Sequence, residues 1–236
     1  MSAAATTIKV AILTTSATTF GKTNENKKGP TGVWLEELAT PYYALKSARC
    51  AIDVYSIDGG DVPIDEASRG EGFYTKDCEK FDGDDEAQSL IKKSKPLNDL
   101  DVHAYDGIFL PGGHGCCEDF HGNDHLTKTI EAFLSAKKAV ALDCHAPIAL
   151  LSCKKADGTT PLVRGMRVTG FSDEEEKQVG MHEDVPTLIE KRWWLKAAST
   201  RKRKRRGART PSSMGLWSRD RIQPVVNFAW RNSWNF

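Results

Sequence analysis

The stretch Ala141–Leu150, ALDCHAPIAL, constrains this chain more than any other. Ala139 and Val140 precede it and Leu151 follows. An apolar run that stops at a cysteine and restarts with helical spacing predicts a buried strand turning sharply into a helix. Cys144 falls at the turn, with Ala146, Ala149 and Leu150 carrying the helix into a core. A thiol over a helix N-terminus faces unpaired N–H groups and the positive end of aligned peptide dipoles. Such surroundings lower a cysteine pKa from about 8.5 to between about 3.5 and 7.5, so thiolate is available at neutral pH. A free cysteine in an apolar run is also at home as a small buried hydrophobe. The run alone leaves both readings open.

A second apolar strand, in Tyr105–Gly115, ends in paired glycines: YDGIFLPGGHG. Gly112 and Gly113 permit backbone conformations and close approaches that a side chain forbids. The N–H groups of Gly113 and His145 can then converge on an oxyanion beside the Cys144 sulfur, the geometry that acyl or hemithioacetal chemistry requires. PGG is equally an ordinary turn signal. His114 falls at the pocket mouth.

The third feature is Thr31–Pro41, TGVWLEELATP. On a helix, Trp34, Leu38, Pro41, Tyr42 and Leu45 form one apolar stripe. Glu37 lies roughly 60° from Trp34 on the flank of that stripe, and Glu36 points nearly the opposite way. Glu36 reads as a solvated charge and Glu37 as a half-buried one, whose carbonyl loses a partner because Pro41 has no N–H. A carboxyl at the edge of a core has a raised pKa and exchanges protons near neutrality.

Taken in order, TGVWLEELATPYY, GGDVPID, FLPGGHG, ALDCHAP and VTGFSDEEE resemble the ThiJ/PfpI superfamily over about Ile8–Glu190. More narrowly, they resemble its heat-shock-chaperone and glutathione-independent glyoxalase III branch. The resemblance implies a flavodoxin-like α/β three-layer sandwich with a mostly parallel sheet and the cysteine on a nucleophile elbow. By position, Cys144 matches the family nucleophile, His145 its adjacent histidine and Glu37 the acid that contacts the thiol. Glu176 stands where an acid completes the triad, with Glu174 and Glu175 beside it. Ala146 replaces a glycine that many members carry, which adds only a methyl. The implied activity converts methylglyoxal to D-lactate through a cysteine hemithioacetal and an enediol, with no metal or organic cofactor. Deglycase action on glycated adducts uses the same attack. A stress holdase or thiol redox sensor without significant turnover is the alternative.

The coarse reading places strands near Lys9–Thr15, Ile52–Ile57, Gly107–Leu110, Val140–Asp143 and Arg167–Thr169. It places helices near Gly32–Ala48, Asp84–Lys93, Asp124–Ala136, His145–Leu151 and Val185–Leu195, an α/β alternation with a parallel sheet. Gly59–Asp101 reads as charged, irregular and capping one face. Cys116, Cys117, His121 and His125 have metal-ligand character, but adjacent cysteines are poor joint ligands, so no metal is expected there. The sequence has no P-loop, dinucleotide fingerprint or GxSxG serine elbow. Met1–Thr7 lacks the basic start and apolar core of a secretory signal, and no stretch suits a membrane span. The six cysteines are therefore expected reduced, in a cytoplasmic and, given the basic tail, also nuclear protein.

The chain has 33 basic and 32 acidic residues, of which thirteen basic and one acidic, Asp220, lie in Lys191–Phe236. Five of the six tryptophans are there too. Residues 1–190 thus read as a catalytic domain lacking its usual closing strands, and 191–236 as a basic, tryptophan-rich tail. Three readings fit the tail: a frameshifted end, a divergent extension, or a basic arm whose RKRKRR at Arg201–Arg206 suits nuclear import or phosphate contact. Without closing strands, a sheet edge would be left bare. The expected partners are a small 2-oxoaldehyde, unfolded protein clients and a second copy of the chain, not nucleic acid or membrane.

Overall fold

The computed structural model describes residues 7–21, 29–166, 168–197 and 225–226. A six-stranded sheet runs through the middle, built from β1 (Lys9–Thr14), β4 (Ala51–Ser56), β5 (Lys95–Pro96), β6 (Gly107–Leu110), β7 (Ala139–Leu142) and β8 (Val225–Val226). Its order is β5-β4-β1-β6-β7-β8, and every pairing is parallel. The short strands β2 (Thr19–Phe20) and β3 (Gly29–Pro30) form a separate antiparallel ribbon. Strand order reverses between β1 and β6, the switch point at whose carboxyl ends a doubly wound sheet opens a crevice.

Burial follows from the alternation of side chains across the pleat. Ala11 and Leu13 of β1, with Ile108 and Leu110 of β6, feed one apolar core. Ile12, Val54 and Phe109 feed the opposite one. The first core is closed by α5 (Asp124–Ser135), the 3-10 segment Ala146–Leu151 and α7 (Ile189–Ala197). The second is closed by α1 (Leu35–Ser47), α2 (Lys76–Asp82) and α3 (Asp85–Lys92). Helices on both faces of a parallel sheet make the expected α/β three-layer sandwich.

Several elements depart from the sequence reading. Gly59–Asp101 is not irregular: it holds the 3-10 turn Glu66–Arg69, α2, α3 and β5. Because α2 covers α1, Glu36 is half-buried rather than solvated, and burial together with Asp77 raises its carboxyl pKa. The helix predicted at His145–Leu151 is a 3-10 segment, Ala146–Leu151, with Pro147 in its first turn, instead of an α-helix. Val168 and Thr169 belong to no strand, and Arg167 lies outside the described residues. The sheet position beside β7 is taken instead by β8, through the pairs Val140–Val225 and Ala141–Val226. An edge expected to be bare is therefore partly covered by the tail's own backbone.

The predicted helix at Val185 begins later, at Ile189, after a run of turns around Pro186. This α7 continues through Glu190 into the basic segment, and Trp193 is buried in the first core. The RKRKRR run lies outside the described residues. No helix among the described residues is long and apolar enough to cross a membrane.

Candidate active site

The crevice at the carboxyl ends of β6 and β7 collects the residues that carry chemistry. β7 ends at Leu142, and Cys144 follows with φ at +49°, a left-handed conformation that β-carbon sterics normally disfavour. The surroundings hold that bend in place. Cys144 N–H donates to Asp143 Oδ1 at 2.8 Å, and Cys144 O accepts from Phe171 N–H at 3.0 Å. The bend projects the sulfur toward the loop after β6.

That loop must be glycine. A β-carbon on Gly112 would sit 2.7 Å from Cys144 Cβ, 2.7 Å from Glu37 Oε2 and 2.8 Å from Asp143 O. Gly113 adopts φ of +109°, and a β-carbon there would collide with Gly32 O at 2.4 Å. The Gly113 N–H faces the Cys144 sulfur and draws its pKa down, against the larger effect of burial. Trp34 N–H donates to Gly112 O at 3.1 Å, which pins the start of α1 to this loop.

From α1, Glu37 reaches into the crevice, only 6% exposed. Its Oε2 accepts from Gly112 N–H at 2.9 Å, and its carboxyl and the Cys144 thiol are close enough to shift each other's pKa. Burial, reinforced by Asp143, pushes the Glu37 carboxyl well above its ordinary value. Asp143 itself is raised to about 7, mainly by burial.

On the other side of the sulfur, His145 Nδ1 lies 3.1 Å from Cys144 Sγ, and its Nε2 lies 2.8 Å from Glu176 Oε1. Glu176 projects from α6 (Asp173–Gln178), a helix started by a capping box between Ser172 and Glu175. The cap uses Glu175, and Glu176 points inward with 2% exposure. Among three consecutive glutamates, this one faces the histidine.

The protonation states of the relay follow from its surroundings. Burial alone would raise Glu176, but hydrogen bonds from His114 and His145 outweigh it and bring the carboxyl down to about 2. Burial, then neighbouring His114, lowers His145 to about 4. Near pH 7 the acid is a carboxylate and the imidazole is neutral. A carboxylate only accepts, so Nε2 carries the proton and Nδ1 presents a lone pair to the thiol.

The Cys144 thiol differs from expectation. Burial is the main cause of a pKa well above its ordinary value, and the charges of Glu37 and Asp143 add to it. The 3-10 segment after the elbow has six residues, too short for a substantial dipole. Dry walls and two carboxyl groups therefore override the predicted lowering. The sulfur rests protonated between a base, His145 Nδ1, and a proton-bearing acid, Glu37.

All six predicted site residues meet here: Cys144, His145, Glu37, Glu176, Gly113 and His114. His114 Nε2 lies 3.3 Å from Glu176 Oε2, and its ring centroid is 4.1 Å from that of His145. Its place is against the acid of the relay as much as at the mouth. The Cys116–His125 run does not converge. Cys116 and Cys117 are buried in α4 (Cys116–Asp119), whereas His121 and His125 are exposed, His125 Nδ1 meeting Asn98 Oδ1.

Two contributors were not singled out from sequence. Asp143 caps the elbow amide, and a charged residue closing a buried apolar strand was its signal. Phe171 holds the Cys144 carbonyl and lays its ring 4.3 Å from that of His145. No sequence pattern announces a contact across that separation.

The DJ-1/PfpI family model matches residues 31–185. Glyoxalase 3 of Candida albicans is 27% identical over 166 residues, covering 70% of this chain and 70% of that protein. The probable glutathione-independent glyoxalase hsp3103 of Schizosaccharomyces pombe is 28% identical over 177 residues, covering 64% of this chain and 66% of that protein. This chain thus spans about two thirds of the length of these two relatives. Among solved structures, Rapid Encystment Protein 24 kDa of Francisella tularensis superposes with a TM-score of 0.79 at 29% identity, over 96% of this chain and 93% of that one.

Proposed function

The chain belongs to the DJ-1/PfpI family, and on that premise we propose that it is a glutathione-independent glyoxalase, a lyase of the glyoxalase III type that turns methylglyoxal into D-lactate. The observation that carries this reading is the relay from Cys144 Sγ to His145 Nδ1 at 3.1 Å and from His145 Nε2 to Glu176 at 2.8 Å, with the protonated Glu37 on the sulfur's other side. The names of the Candida and Schizosaccharomyces relatives support it.

In this reading, His145 Nδ1 accepts the thiol proton as the sulfur attacks the aldehyde carbon. A carbon–sulfur bond forms, the carbonyl π pair moves to oxygen, and the Gly113 N–H faces the resulting charge. Glu37 gives its proton to that oxygen, which completes the hemithioacetal and leaves Glu37 a carboxylate. Glu37 or His145 then removes the proton from C1, giving an enediol, and a proton is returned to C2. The product is a lactoyl thioester on Cys144. Water adds to it, the carbon–sulfur bond breaks, and lactate leaves as the thiol recovers its proton. The sum is methylglyoxal plus water giving lactate, without net oxidation.

The test is incubation of the full chain with methylglyoxal in the absence of glutathione, with D- and L-lactate measured enzymatically. D-lactate above the uncatalysed background is expected; its absence overturns the reading. The exposed large apolar side chains among the described residues, Ile8, Tyr74, Val179 and Leu195, are four single residues far apart in the sequence. They do not favour a client-binding holdase over the enzyme.

A further inference from the structure

His114, His145 and Glu176 each offer one possible metal-ligand atom, an imidazole nitrogen or a carboxylate oxygen, and these three atoms all lie within 4.8 Å of one another. The two histidines approach different oxygens of the same carboxylate, at 3.3 Å and 2.8 Å. Their ring centroids are 4.1 Å apart and the rings are tilted by 41°, so the two imidazoles stand side by side against one carboxylate. At bond lengths of about 2.0–2.1 Å, tetrahedral ligands of zinc sit roughly 3.3 Å from one another. The two nitrogen-to-oxygen spacings, 2.8 Å and 3.3 Å, lie within about half an ångström of that, and no two of the three ligand atoms are more than 4.8 Å apart. Two imidazoles and a carboxylate form a borderline donor set suited to Zn²⁺, and three protein ligands leave a fourth position open.

We propose that this trio is a zinc-binding site, and that zinc held there switches the Cys144 relay off. The ion takes the Nε2 lone pair of His145, so that nitrogen must give up its proton. The ring stays neutral by taking a proton from solvent at Nδ1 as Nε2 loses its own, so its one proton now sits 3.1 Å from Cys144 Sγ. An atom that accepts the thiol proton in the free protein becomes a donor and can no longer act as the base. Glu176 is meanwhile held by the ion and ceases to orient the ring. The inhibitory consequence rests on the proposed glyoxalase reaction, whereas the binding itself does not. The nucleophilic sulfur stays outside the ligand set, which separates this site from ordinary metal capture by a thiol.

The experiment is calorimetric titration of the full chain with zinc sulfate at neutral pH, in buffer free of thiols and phosphate, with lactate formation followed in parallel. Saturable one-to-one binding is expected, with activity falling in step with occupancy and returning on addition of EDTA. His114→Asn and Glu176→Gln should each weaken zinc binding by about tenfold or more, and Cys144→Ala should bind within about threefold of wild type. Absence of one-to-one binding overturns the proposal. So does binding that Cys144→Ala abolishes while His114→Asn keeps it. Cobalt(II) on the wild-type chain provides a check free of folding effects. Visible ligand-field bands without a sulfur-to-cobalt charge-transfer band are expected, and a strong charge-transfer band overturns the ligand assignment. If zinc binds while the chain makes no lactate, the glyoxalase reading fails and the metal site stands.

Discussion

Replacing Glu37 by glutamine separates two roles that burial has fused in one carboxyl. Glutamine is nearly isosteric, so its amide oxygen can accept the Gly112 N–H that Glu37 Oε2 now accepts at 2.9 Å. What it cannot do is gain or lose a proton. In the folded protein the carboxyl is held protonated well above its ordinary range, chiefly by burial and next by Asp143. A group whose folded pKa is raised contributes its stability below the unfolded pKa and loses it as pH climbs toward the folded one. Within that window wild type therefore loses about 1.4 kcal/mol per pH unit that Glu37→Gln does not lose. For a chain of this size the difference is roughly 3–5 °C in melting temperature per pH unit. Urea or thermal unfolding of both proteins at about pH 5, 6 and 7 reads it directly. The variant should gain on wild type steadily as pH rises, while its turnover of methylglyoxal falls by about 10²–10⁴-fold because an amide shuttles no proton. A stability difference that stays flat with pH would refute the buried, proton-holding Glu37.

Three further outcomes follow from the same geometry. Glu176→Gln removes the charge that fixes the His145 tautomer, so kcat should drop by about 10²-fold or more with little change in KM, in steady-state assays on methylglyoxal. Gly112→Ala drives a β-carbon to within 2.7 Å of both Cys144 Cβ and Glu37 Oε2; a loss of about 1–3 kcal/mol in urea unfolding and a near-complete loss of turnover are expected. Trp193→Ala removes a buried ring that packs on Gly170, where an added β-carbon would lie 2.9 Å from Trp193 Cη2. It should cost about 3–5 kcal/mol in urea unfolding, and reduced turnover at full folding would show that the 170–171 loop positions the elbow.

What could be read from the chain, and what could not, divides along a physical line. Apolar runs such as KVAILT and GIFL specify parallel strands with little ambiguity, because only a doubly covered sheet buries such runs. Helical geometry was enough to choose Glu37 over Glu36 as the inward carboxyl. It was not enough to set the exposure of Glu36, which depends on α2 arriving from a charged segment that shows little periodicity. The register among Glu174, Glu175 and Glu176 was likewise decided in three dimensions, by a capping box that uses Glu175. The thiol's protonation state was the largest miss. Local sequence suggested a helix N-terminus under Cys144, whereas burial and the carboxyls of Glu37 and Asp143 push its pKa upward. Desolvation is a property of the assembled core and leaves no mark in a ten-residue motif. The tail shows the same limit, since composition separates it from the body but gives no hint that Val225 and Val226 pair with β7 or that Trp193 enters the core.

The most direct test compares wild type and Cys144→Ala side by side for lactate formed from methylglyoxal without glutathione, with matched folding checked by circular dichroism. If the elbow sulfur forms the bond to substrate, the alanine protein falls to the uncatalysed rate. Turnover within a few-fold of wild type would mean that the reaction proceeds elsewhere, and the relay through His145 and Glu176 would have no chemistry to serve.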